Sequence, residues 1–341
     1  MRKLIVIFQI SFLLFSCQTK ENKKLNLSEP KKQEIDSTKS TNFVGTLENT
    51  IVDSTINYIY TPTLATAWNY IQDTLKNIRL DKNRNSTDFI LLNNTKTNLN
   101  SLETNEFETQ ISISKFAIKA KSSFNLQLTF EPLFNRLSDS IYFKRKSVEG
   151  FGMIEWNENL AKQIKIIYYK DDDNFVFRII PKEKNNELIF IKGLGINKVK
   201  SFKELLDLKN KYQALGLKEQ RIKKLRGNYK LEEGDSFEIP ELLFDIEKNF
   251  QNIVGQEFIS NDSTYYITEA KQRNALLLNN RGVKVLSEAE IEVLKDMTDE
   301  PIKITKHLVL NDDFVLIINH RNKKNPYFCA RIANTDLMNK Q

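Results

Sequence analysis

The chain contains only two cysteines and two histidines in 341 residues. With Cys17 and Cys329 far apart and His307 and His320 the only imidazoles, zinc sites and Cys/His nucleophilic pairs have almost nothing to be built from. Cys329 sits in an apolar strand-like run and is expected to be a buried small hydrophobe, not a nucleophile. The sequence also lacks a nucleophile elbow, a phosphate-cradling glycine loop and a metal-ligand cluster. Asp171, Asp172 and Asp173 come without the glycine and glutamate of a calcium loop, so they read as an exposed turn. Glu155 beside Trp156, and Asp235 with Glu238, read as surface or hydrogen-bonded groups. No cofactor, no metal and no enzymatic activity are expected.

Charge of one sign is missing too. The 51 basic residues are interspersed with 44 acidic ones, for a net charge of +7. That balance describes a solvated mixed surface and argues against a nucleic-acid partner. The basic cluster Arg221, Lys223, Lys224 and Arg226 is expected to be a solvated helix end.

What is present begins with "MRKLIVIFQISFLLFSC", a basic start, an apolar core and a small residue before Cys17. The core is too short to cross a bilayer as a helix and reads as an export signal. Its ending, "LFSC", resembles the bacterial lipobox, which implies lipidation of Cys17 (a palmitate-type anchor) and tethering in the cell envelope. Gln18 after that cysteine fits outer-membrane sorting. Residues 18–50, rich in Lys, Glu, Asn, Ser and Thr, are expected to be a disordered tether with a span of roughly 30 Å. Residues 51–341 hold the folded domain, for which 40% hydrophobic residues, with 22 Phe and 11 Tyr, supply a core.

Within that domain, Pro62 and the spacing of Leu64, Ala67, Trp68, Ile71 and Leu75 predict a helix from Pro62 to Lys76. It is the one helix expected in residues 51–150; Asn- and Thr-rich loops follow to about Asn105. Short β-branched and aromatic runs then predict strands, with Gln163–Tyr169 and Asn174–Ile180 forming a hairpin about "KDDDN". Ser201 followed by Glu204 resembles a capping box at the start of a second helix. A strand at Ile239 and Pro240, the segment Leu243–Ile246 and a short helix come next. The strand-like "ITEAKQRNALLLNN", a long connection after Gly282, and a buried hairpin of Phe314–Ile318 with Tyr327–Ala333 complete the chain.

The order "IPELLFDIEKNFQNIVG", "EAKQRNALLLNNRG" and "DDFVLIINHRNKKNPYFCARIANT" resembles the serpin family over residues 227–338, and more weakly from residue 163. The resemblance implies an α+β, serpin-like mixed fold with large β-sheets and a reduced helical N-terminal lobe. It implies a strand of a central sheet leading into a hinge at Gly282, Val283, Lys284 and Val285, then an exposed reactive loop. Counting from Gly282 as in the family, the bait position falls at Lys295, Asp296 or Met297.

Inhibitory serpins carry small residues after the hinge glycine, because the cleaved loop enters the central sheet as an added strand. Here Val283, Lys284, Val285 and Leu286 replace them. The expectation is therefore a monomeric, non-inhibitory binding or scaffold lipoprotein whose partner is a protease or another envelope protein. Protease inhibition by loop insertion is the alternative, since Val283, Val285, Ser287 and Ala289 share one face of an extended chain. An unrecognised envelope enzyme is the third reading.

Overall fold

A computed structural model describes residues 33–34, 40–96, 101–103, 106–113, 118–124, 126–283 and 305–340. The expected export signal 1–17 with Cys17, most of the expected tether, Lys284, Val285 and Lys295–Met297 lie outside the described residues. The architecture is mixed α+β, with several sheets and few helices.

The largest sheet has seven strands, in the order Ile164–Asp171, Asn174–Ile179, Asn186–Lys192, Phe314–His320, Phe328–Ile332, Asn57–Tyr60 and Thr41–Val44. All pairs are antiparallel except the last. The C-terminal hairpin thus occupies the centre of the sheet, and both of its faces are covered. One face carries Phe175, Phe177, Phe190, Leu316 and Ile318 into the main core. The opposite face, with Val176, Ile189, Ile191, Val315, Ile317 and Cys329, packs beneath Phe202 and Leu205 of the helix Phe202–Glu219. Near-continuous apolar runs are what a sheet buried on both sides requires.

That helix starts as its sequence demands. Ser201 Oγ accepts from the Glu204 backbone N–H at 3.2 Å. The Glu204 carboxylate accepts from the Lys200 N–H at 2.9 Å, one residue earlier than in a standard capping box.

A four-stranded sheet runs His307–Val309, Ser236–Pro240, Gly150–Met153 and Asn135–Arg136. A three-stranded sheet runs Gln33–Glu34, Leu242–Asn249 and Lys271–Leu278.

Four expectations need correction. The packed body starts ahead of Ile51: Thr41–Val44 is a strand, Phe43, Val44 and Leu47 are buried, and Gln33–Glu34 pairs with Ile246 and Glu247. Composition misled because several polar residues here, Thr41, Thr46 and Asn49, are themselves buried and hydrogen-bonded. Asn57 Nδ2 donates to Thr41 Oγ1 at 3.2 Å and to Asn334 Oδ1 at 2.7 Å. Second, Thr87–Asn94 is a further helix in the N-terminal part, capped by Ser86 and anchored by Phe89 and Leu92; it is short and weakly amphipathic, so periodicity is faint. The helix over Pro62–Lys76 is found at Thr63–Leu75.

Third, no helix follows Leu243–Ile246. The strand continues to Asn249, and the chain then makes a turn closed by Ile253 and Val254 N–H bonds to the Phe250 carbonyl. Fourth, among the described residues Lys271–Leu278 lies at the edge of the small three-stranded sheet, not in the large one that forms the centre of the fold.

Candidate functional site

The chain on either side of the Gly282 connection is anchored by two different sets of contacts. On the N-terminal side, Lys271–Leu278 pairs along its whole length with Leu242–Asn249. Its side chains alternate, with Gln272, Asn274, Leu276 and Leu278 buried and Lys271, Arg273 and Ala275 exposed. Arg273 Nε donates to Asp245 Oδ1 at 2.6 Å and Nη2 to Asp245 Oδ2, a bidentate pair across the strands. Gln272 Nε2 donates to Thr61 Oγ1, which donates to Asn274 Oδ1 at 2.9 Å. The inner face of the edge strand is therefore polar at one end and apolar at the other.

At the strand's end the chain reverses. Asn279 and Gly282 exchange backbone hydrogen bonds of 3.2 and 3.1 Å, and Arg281 N–H donates to Asn279 Oδ1 at 3.0 Å. Gly282 and Val283 then pair antiparallel with Thr129 and Leu128. Phe130 N–H donates to the Arg281 carbonyl at 3.1 Å, Phe134 N–H to the Asn280 carbonyl at 3.0 Å, and Asn280 Nδ2 to the Phe134 carbonyl at 3.2 Å. Gly282 has φ +114, a region L side chains rarely adopt, and a Cβ there would lie 2.5 Å from the Leu128 carbonyl oxygen. Glycine is thus required by conformation and by space. Of the four hinge residues expected, Gly282 and Val283 are brought together in this docked turn, and Lys284 and Val285 lie outside the described residues.

On the C-terminal side the anchor is charged. Lys306 Nζ and Asp235 Oδ2 are 3.0 Å apart, with side-chain exposures of 4% and 0%. Asp235 also accepts the Lys306 N–H at 2.9 Å and the Glu232 N–H at 2.8 Å. His307 Nδ1 and Ser236 Oγ are 2.8 Å apart, and the His307 N–H donates to Asp172 at 2.9 Å. From there His307–Val309 pairs parallel with Ser236–Glu238.

These contacts account for several carboxylates singled out above. Asp235 is committed to Lys306 and does not pair with Glu238. Asp172 accepts from Tyr169 Oη at 2.7 Å, and Asp173 pairs with Lys192 Nζ at 2.9 Å, so the aspartate turn is tied into the protein's own contacts. Burial, seconded by the Asp172 hydrogen bond, pushes the Tyr169 hydroxyl well above its ordinary value. Burial likewise holds the Cys329 thiol far above the usual range, which leaves it a packing group. Arg221 is followed by a 3-10 helix, Lys223–Tyr229, that carries Lys223, Lys224 and Arg226. Sequence reasoning missed Lys306 and Asn280 as anchors; only the order of elements around Gly282 pointed to the region.

No family model matches the chain, and no curated protein does. Among solved structures it is similar to thyroxine-binding globulin in complex with thyroxine (14% identity, 64% of this chain, 56% of that chain, TM-score 0.40). It is also similar to human glycosylated kallistatin (12% identity, 64% and 56%, TM-score 0.42). A third is Serpin48 of the insect Tenebrio molitor (14% identity, 65% and 57%, TM-score 0.37). The chain spans slightly more than half the length of these structures.

Proposed function

We propose that this protein is a serpin-like envelope lipoprotein, tethered through Cys17, that acts as a non-inhibitory binding or scaffold protein. The segment from Leu294 to Pro301 carries its recognition of an envelope partner. The observation that bears this reading is the docking of Gly282 and Val283. A hinge that must swing would have to give up the pairing with Leu128 and Thr129 and the bonds from Phe130 and Phe134. Each backbone hydrogen bond contributes about 1 kcal/mol net, so release costs several kcal/mol before any gain. The bulky residues that follow Gly282 add to the same resistance.

The order of elements supports the serpin-like assignment. An edge strand runs into a glycine turn, a connection joins it to a strand of another sheet, and the last hairpin is buried at the centre of a large sheet, as the quoted motifs imply.

Deleting Leu294–Pro301 and comparing proteins captured from envelopes tests the assignment. Loss of specific partners with the fold intact is expected; an unchanged set removes the segment from the mechanism.

A second reading, protease inhibition by insertion, draws on one feature. Lys271–Leu278 has no strand on its outer side among the described residues, and the turn at Asn280 and Arg281 reverses the chain beside it. Incubation with serine and cysteine proteases decides it. A detergent-resistant complex, or a rise in thermal stability after cleavage between Leu294 and Pro301, would establish inhibition in place of passive binding.

A further inference from the structure

The sheet face beneath the helix Phe202–Glu219 is apolar along most of its width, and then the chemistry changes. Arg178 stands at the end of the row that holds Ile189 and Ile317, and the next row on this face pairs Glu187 with Asn319, so the face turns polar there. Between this row, the helix and the turn of the C-terminal hairpin is a cavity of about 420 Å³. Arg178 comes from one strand, Lys209 from the helix, and Arg321 and Lys324 from the hairpin turn. No stretch of sequence displays this cluster, because widely separated segments contribute to it.

The charges do not cancel. Among the described residues Glu187 is the one carboxylate in the lining, and its oxygens are already occupied. Oε2 accepts from Arg178 Nη1 at 2.7 Å and Oε1 from Asn319 Nδ2 at 3.1 Å. Among the described residues Lys209 has no carboxylate within salt-bridge distance, and the Arg178 Nε is buried without a hydrogen-bond partner. Burial holds the Lys209 ammonium below its ordinary value, with Glu187 opposing and Arg178 reinforcing the effect. A half-buried cation left unneutralised, as Lys209 is, is costly, and an entering anion would offset that cost. Guanidinium forks combined with lysine point charges suit tetrahedral oxyanions. The volume falls in the range of small-molecule sites and is too small for a polymer.

We propose that this cavity binds a small, multiply charged phosphate-bearing anion, held by Lys209, Arg178 and Arg321. The site is independent of the Gly282 region and of the serpin-like reading.

Titration calorimetry of the full chain with inorganic pyrophosphate tests it. Saturable one-site binding is expected, weakened about tenfold by Lys209→Met and by Arg321→Ala, the loss of one charge-assisted contact. Arg321 is in an exposed turn, so its variant reports on binding even where a helix substitution perturbs folding. Lys211→Ala, outside the cavity lining, leaves affinity unchanged, and citrate binds at least about tenfold more weakly than pyrophosphate. Absence of saturable binding, equal weakening by Lys211→Ala, or citrate binding as tightly as pyrophosphate would each overturn the proposal.

Discussion

Gly282→Ala isolates the physics of the docked turn. At φ +114 an alanine sits outside the regions open to L residues, at a cost of about 1–3 kcal/mol. Its Cβ would also meet the Leu128 carbonyl oxygen at 2.5 Å, and the Phe130 nitrogen and Thr129 Cα at 2.8 Å. These are backbone atoms, so no rotamer change relieves the overlap. The turn must shift away from Leu128–Phe130 and lose one or two hydrogen bonds of about 1 kcal/mol each. Together these effects predict a loss of about 3 kcal/mol. Urea denaturation followed by tryptophan fluorescence should show a lower midpoint at unchanged slope. Limited proteolysis should also cut more readily after Gly282. A loss below about 0.5 kcal/mol with unchanged proteolysis would refute the argument, since surface substitutions away from special features fall in that range.

Two further outcomes follow from buried charge. Lys306→Met leaves Asp235 with its two backbone donors but without its cation, and should cost about 3 kcal/mol, as for other broken buried pairs; a denaturation midpoint equal to that of the parent would show that the pair contributes nothing. Lys209→Met should stabilise the protein at neutral pH. A lysine whose folded-state value is depressed binds protons less well than in the unfolded chain, so its penalty is present at low and neutral pH and fades as pH rises toward 10.5. Thermal melts of both proteins across that window should converge at the alkaline end, and a constant difference would refute the cause.

Much of the architecture is written locally. Apolar residues at helical spacing placed the helix Thr63–Leu75, and Ser201 with Glu204 marked the start of Phe202–Glu219, because caps and periodicity act over four residues. The aspartate turn and the C-terminal hairpin were legible for the same reason, as alternation and turn chemistry are short-range signals. Thr41–Val44 was not legible. Thr41 is buried with its hydroxyl bonded by Asn57, which is itself held by Asn334 from the far end of the chain.

By itself the sequence determined that the chain holds only two cysteines and two histidines, and that a glycine stands where a strand ends. Only the tertiary structure decided what that glycine does. Its conformation and its contact with Leu128 and Thr129 depend on a strand more than a hundred and fifty residues earlier. The structure likewise put Lys209, Arg178 and Arg321 around one cavity, since side chains from a helix, a strand and a turn converge only after the sheet has closed. Local propensity acts between near neighbours in the chain, whereas burial and charge act between neighbours in space, and these two regions are built from the second kind.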